Sequence, residues 1–269
     1  GGSQMKLAQA VVALLAVLAV ATATAAQMLD EAQQRCVNQL NYDASKLAKA
    51  QGLENLRCLQ RATRNQLAPG QTADDCLVAD GKGRIADHQA GIARDFGYYC
   101  TAPLPPFGIP TGTVAATYGS VPREQSVALV GDIFGPSLDA SAVDCGTDPA
   151  GCACQAAVSK AYEKLAISNY KVFLHCKKVY LKNALGTSAS IIQKCVDSLS
   201  LAESIESANS AKLLTRLKNL TYYVSRKCDA VDTAVALPGA CAGLAGAPLG
   251  EAFALKMRRA PRQVIEERI

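Results

Sequence analysis

The chain has 269 residues, 49% hydrophobic but only 5% aromatic and without Trp, and carries a net charge of +5, 11 cysteines and two histidines. That length allows one large or two small domains, and few aromatics among abundant Ala, Leu and Val favour packed helices over a β-sandwich. Two histidines exclude a histidine-built metal cage, and a modest net charge does not argue for nucleic acid, which needs a concentrated basic face.

Gly1 to Gln4 precede the first methionine and read as a tag remnant or upstream extension. From Met5, Lys6 supplies a positive start, Leu7 to Val20 an apolar core, and Ala21 to Ala26 a run of small residues ending in a cleavage pattern at Thr24 and Ala26. Residues 1–26 are therefore expected to be a removed secretory signal, barely long enough for the about 20 apolar residues of a membrane anchor. Export to a secreted or periplasmic location puts the cysteines in an oxidising compartment, where disulfides persist.

Residues 27–100 are expected to form a first module. Cys36, Val37, Leu40, Ala44, Leu47 and Ala48 recur at helical spacing, and the helix is expected to continue to Leu59. Cys36 and Cys58 then lie roughly 33 Å apart on one straight helix and cannot bond to each other. Pro69-Gly70 marks a turn, and Thr72 with Asp75 resembles a capping box opening a return helix at Ala73. Gly81 and Gly83 predict a kink or break in it. An antiparallel hairpin places Cys58 with Cys76 near the turn and Cys36 with Cys100 at the open end; pairing Cys36 with Cys76 and Cys58 with Cys100 would tie opposite ends of the hairpin.

Residues 101–153 read as an interdomain segment. Pro103, Pro105, Pro106, Gly108 and Pro110 give extended chain. A short helix is expected at Glu124 to Phe134, covering a module with Val127, Leu129, Val130 and Ile133, while Phe107, Tyr118 and Phe134 need shelter. Cys145 and Cys152 are expected to close a small disulfide loop. The alternative is a metal or redox site built on Cys145, Cys152 and Cys154, for which no fourth ligand is visible nearby.

Residues 154–228 repeat the pattern. Cysteine steps of 22, 18 and 24 from Cys36 are matched by 22, 19 and 33 from Cys154, both copies read Lys-Leu-Ala ten residues after the first cysteine, and both close on paired tyrosines, Tyr98-Tyr99 and Tyr222-Tyr223. This is expected to be an internal duplication of a stapled helical hairpin. The first helix is expected from Gln155 to Leu185, with Leu165, Val172, Val179 and Leu185 near one face, Gly186 as its stop, and Thr187 or Ser188 capping the next helix; the last helix is expected from Ala211 to Lys227. The expected bridges are Cys176–Cys195 and Cys154–Cys228. Between Lys160 and Lys227 stand twelve Lys or Arg and four acids, charge suited to an anionic polymer, lipid headgroups or an acidic partner, although such a run is more often simply a solvated helix face. Asn219-Leu-Thr221 matches a glycosylation sequon.

Residues 229–269 form a Gly/Ala-rich, basic tail expected to be partly disordered. It contains Cys241, the odd cysteine if Cys145 and Cys152 pair and then a candidate free thiol able to link two chains into a homo-oligomer; the alternative is that it closes on either of those two. His88 and His175 read as ordinary helix residues.

Several stretches resemble a family of exported, cysteine-rich, helical hypothetical proteins of environmental bacteria with no assigned activity. They are Cys36-Val-Asn-Gln-Leu-Asn41, Ala48-Lys-Ala-Gln-Gly52 through Glu54-Asn55 to Cys58, Asp132-Ile-Phe-Gly-Pro-Ser-Leu-Asp139, and Cys152-Ala-Cys-Gln-Ala-Ala-Val-Ser-Lys160. The resemblance spans about Cys36 to Gly246 and implies export and the duplicated module. The family continues into a further cysteine-containing segment after the stretch like Cys241-Ala-Gly-Leu-Ala-Gly246, whereas this chain reads Ala-Pro-Leu-Gly and ends in a basic tail. The resemblance supplies no active site.

The expectation is thus an all-α protein of two stapled hairpin modules, non-enzymatic, with no catalytic residue, cofactor or metal. It would act through surface contact with a protein or an anionic surface, without binding nucleic acid and without stable membrane insertion once the signal is removed.

Overall fold

The computed structural model describes residues 29–101, 103–104, 114–182, 195, 208–239 and 242–243. The expected signal segment, Phe107, Leu185, Gly186, Thr187, Ser188, Cys241 and most of the tail lie outside the described residues. The described residues are helical and contain no strand. No helix among them is long and apolar enough to cross a membrane.

Helix α1, Glu31–Ala62, has 32 residues and is about 48 Å long. Asp30 opens it with a capping box, accepting from the Gln33 amide while the Gln33 side chain accepts from the Asp30 N–H. Cys36, Val37, Leu40, Ala44 and Leu47 are buried, as their spacing predicts. The return path is split as expected into α2, Ala73–Val78, and α3, Arg84–Tyr99. Thr72 and Asp75 form the reciprocal cap of α2. Gly83 starts α3 with a φ of 68°, a left-handed conformation that glycine adopts without strain.

Helix α4, Val114–Phe134, starts ten residues, about three turns, before the expected Glu124 and runs through Pro122. Proline loses the backbone donor and normally interrupts a helix. Here Tyr118, Val121, Val130, Ile133 and Phe134 are buried, and packing against α1 and α3 outweighs that local penalty. The segment's helix thus covers the first half, as expected of Val130 and Ile133, and adds Tyr118 and Val121 to the core. After α5, Leu138–Ser141, comes α6, Pro149–Lys182, which begins six residues before the expected Gln155. Leu165 and Val172 are buried on it, but Val179, expected on the same face, is 40% exposed. Helix α7, Ala208–Cys228, packs on α6, and the short α8, Thr233–Ala236, follows. The start of the tail is ordered: Ala236 and Leu237 are buried, and the Gly239 N–H donates to the Ile133 carbonyl at 3.0 Å.

The long helices α1 and α6 run antiparallel at the centre. Gly52 of α1 faces Glu163 of α6, and Arg35 to Tyr42 lie across from Leu174 to Lys178. A Cβ at Gly52 would stand 1.9 Å from the Glu163 Oε2, so the approach of these two helices requires a residue without a side chain, or movement of the carboxylate. The buried side chains of both halves form one continuous core.

Two buried glutamines join the layers. Gln51 donates to the Asn55 Oδ1 and the Leu77 carbonyl, both at 2.8 Å, and accepts from Arg123 at 3.2 Å. Gln155 donates to the carbonyls of Ser141 and Ala236 at 2.6 and 2.7 Å and accepts from the Val143 N–H at 3.0 Å. Helices α2 and α5 cap each other. Asp139 accepts from the Ala73 N–H at 2.6 Å, and Asp74 accepts from the Leu138 N–H and the Ser137 hydroxyl, each at 2.7 Å. These bonds hold the Asp139 carboxyl below its ordinary pKa, chiefly through the Ala73 amide.

Candidate functional site

Five disulfides fasten this frame. Cys36 joins Cys100 and Cys58 joins Cys76, with Cα atoms 4.8 and 5.6 Å apart. Cys154 joins Cys228 and Cys176 joins Cys195, at 4.9 and 5.6 Å. Cys145 joins Cys152 across a loop in which Asp144 accepts from the Gly146 N–H and Asp148 from the Gly151 N–H. The three cysteines weighed for a metal or redox site are thus all in bridges, and no group of three or more metal-ligating side chains converges among the described residues. His88 is half-buried on α3 and His175 exposed on α6.

The most distinctive surface is a cleft of about 330 Å³ between α6 and α7. Lys160 and Lys164, one turn apart, stand on one wall; Arg216, Asn219, Tyr223 and Lys227, at steps of three and four, stand on the other. Ala157, Ala161 and the fully buried Leu220 make the floor. No acid lines the cleft. The ion pairs found among the described residues, Arg35–Glu31, Lys46–Asp43, Arg57–Glu54 and Arg94–Asp95, all lie in the first half. The four cations of the cleft therefore face solvent without counter-charges, above an apolar base and beside an aromatic ring that is 50% exposed. Their fields add where no carboxylate offsets them, which concentrates anions at this face.

The sequence reading located the basic character of this half but not the cleft. Lys160 and Lys164 are four residues apart, a visible signal, but their meeting with α7 depends on the Cys154–Cys228 staple and on which face of α7 packs inward. Asn219 of the sequon is exposed at the rim.

A different feature lies on the opposite side of α6. Burial against α1 pushes the Glu163 carboxyl from 4.5 up to about 7, opposed by a hydrogen bond with Asn55. Its neighbours around a very small cavity are Leu59, Ile133, Phe134, Ser159 and Tyr162, none of them a cation. A carboxyl so placed titrates near neutrality, and with the Ser159 and Tyr162 hydroxyls and the surrounding apolar side chains it is part of the α1–α6 packing.

The fold and its fastening define the class: an all-α, disulfide-clamped protein with a basic cleft. Comparison with protein-family models, with curated proteins and with solved structures finds no match.

Proposed function

We propose that the protein is exported to a secreted or periplasmic location and acts there as a non-enzymatic binding protein, docking on an anionic envelope surface through the α6–α7 cleft. The observation that carries this reading is the set of four cations without counter-charges around an apolar floor. An anionic headgroup would satisfy the cations while adjoining aliphatic chain covers Ala157, Ala161 and Leu220. Five bridges suit an oxidising compartment and keep a small helical frame folded without a partner.

We also propose that the two halves descend from one stapled hairpin. In each, a long helix carries the first cysteine near its start, that cysteine bonds the last one 64 or 74 residues on, and the middle pair closes a separation of 18 or 19. Leu47 and Leu165 of the two Lys-Leu-Ala stretches are both fully buried.

Co-sedimentation with vesicles containing roughly one-third anionic lipid, beside vesicles of zwitterionic lipid alone, tests the docking. Binding to the anionic vesicles should fall steeply between about 50 and 300 mM salt and be lost in a Lys160→Glu, Lys164→Glu double variant. Equal binding to both vesicle types, or binding by the variant equal to that of the parent protein, would refute it.

A further inference from the structure

A second cleft, of about 450 Å³, lies on another face of the molecule, between the first turns of α1, the end of α3 and the last third of α6. This size falls in the range of small-molecule sites. Its chemistry differs from that of the α6–α7 cleft. Lys177 of α6 lines it and is only 5% exposed. Among the described residues no carboxylate or carbonyl is bonded to its ammonium, and burial lowers the ammonium to about 8. A buried cation without a partner is costly, and an anion entering the cleft would relieve that cost.

The remaining walls present fixed acceptors and rings. The Gln39 amide nitrogen donates to Asp43 at 3.0 Å and to Asp95 at 2.9 Å. Both partners are carboxylates, so the amide orientation is determined and its Oε1 is left over. Asn41 donates its amide nitrogen to the Val37 carbonyl at 2.6 Å, which likewise leaves Oδ1. Acceptors held in this way suit hydroxyl donors. Tyr42 and Tyr99, 54% and 38% exposed, add aromatic surface, and the Lys46 ammonium lies 4.1 Å from the Tyr42 ring centre, supporting one of its faces. Asp43 is matched by Lys46 at 3.1 Å, and Arg35 at the rim is paired with Glu31, so the cations of the cleft with nothing opposite them are Lys177 and, exposed at the rim, Lys178.

We infer that this cleft is a binding site for a small hydroxylated anion, an acidic monosaccharide or a sugar phosphate, with Lys177 meeting the anionic group, the Gln39 and Asn41 oxygens accepting from ring hydroxyls, and Tyr42 and Tyr99 flanking the ring. A purely lipidic anion would leave the two amide oxygens without donors, and a neutral sugar would leave Lys177 without a counter-charge.

Calorimetric titration of the full oxidised chain with galacturonate, glucose 6-phosphate, glucose and inorganic phosphate tests this. Galacturonate or glucose 6-phosphate should bind saturably with one site per chain, and whichever binds tighter identifies the anion as carboxylate or phosphate. Glucose and inorganic phosphate should each bind at least about tenfold more weakly. Lys177→Met, which removes the charged end but keeps an unbranched apolar stem as far as Cε and so preserves the packing, should weaken binding by at least about tenfold. Tyr42→Ala, at an exposed position where folding is not at risk, should weaken it by a smaller factor. The Lys160→Glu, Lys164→Glu variant should bind the sugar acid unchanged, which separates this site from the vesicle-docking cleft. The inference is overturned if neither sugar acid binds up to about 10 mM, if inorganic phosphate binds as tightly as both, or if Lys177→Met binds like the parent protein.

Discussion

Residues 31–100 and residues 149–228 are fastened alike and surfaced differently. Each has a long helix bonded near its start to a cysteine at the end of the half, and each has a second bridge spanning 18 or 19 residues. From Asp30 to Cys100 nine acids balance nine Lys or Arg, and the ion pairs among the described residues are found there. From Lys160 to Lys227 twelve Lys or Arg face four acids, and the cleft cations are without ion pairs. Their packing differs as well. Helix α1 is held by α3, α4 and α6, whereas α7 rests chiefly on α6. A covalent staple fixes where a helix lies whatever its surface charge, so one half is free to carry an unbalanced surface that would be costly in a frame held by ion pairing.

The largest effect expected from this difference concerns the long-range bridges. Replacing both Cys154 and Cys228 with Ser should cost about 2–5 kcal/mol and lower amide-exchange protection along residues 208–228, because among the described residues α7 packs chiefly on one helix, α6, and the bridge ties its end to that helix. The matching Cys36 and Cys100 replacement closes a loop of similar length and should cost a similar amount, yet leave α1 protected between its other neighbours. Loss of protection along α1 as well would remove the distinction between the halves.

A smaller effect, sharpening the junction between them, belongs to Glu163. Its carboxyl is ordinary in the unfolded chain and titrates at about 7 when folded. Below pH 4.5 both states are protonated and the group is neutral toward stability. As pH rises from 4.5 to 7 the unfolded chain loses the proton first, and stability falls, with the full loss present above 7. Glu163→Gln should therefore raise stability by about 1–3 kcal/mol at pH 8 and leave it unchanged at pH 4, as read by urea denaturation at both pH values.

The smallest effect separates charge that stabilises from charge that is available for binding. Lys46→Met breaks a pair with the largely buried Asp43 and should cost about 1 kcal/mol. Lys160→Met and Lys164→Met, at exposed residues without partners, should each change stability by less than about 0.5 kcal/mol in the same assay. A larger cost at either would mean that the cleft cations are part of the frame.

Much of the frame was legible because its signals are local. The heptad-like burial of Cys36 to Leu47, the capping box at Thr72, the break near Gly83 and the all-α character all follow from residue spacing, from side-chain oxygens beside helix starts and from glycine's freedom at positive φ. The signals failed where distant segments decide. The sequence predicts a short helix only from Glu124, but α4 starts at Val114 and runs through Pro122 because its buried face meets α1 and α3. Val179 continues an apolar pattern but is exposed because the chain packed against α6 leaves that position uncovered. The burial of Gln51 and Gln155 has no local signal, since their amides satisfy backbone groups that become neighbours only after folding.

By itself, then, the sequence determined that the long segments are helical, where α1 and α2 start, and that the second half carries excess positive charge, because helix formation, capping and net charge depend on residues within a few positions of one another. Only the tertiary structure decided that α1 and α6 lie antiparallel at the centre, that Gly52 admits Glu163, and that Lys177 is buried beside Gln39, Asn41 and two tyrosines. Those features arise from residues far apart in the chain, brought together by the shapes of two packed surfaces and held there by disulfides.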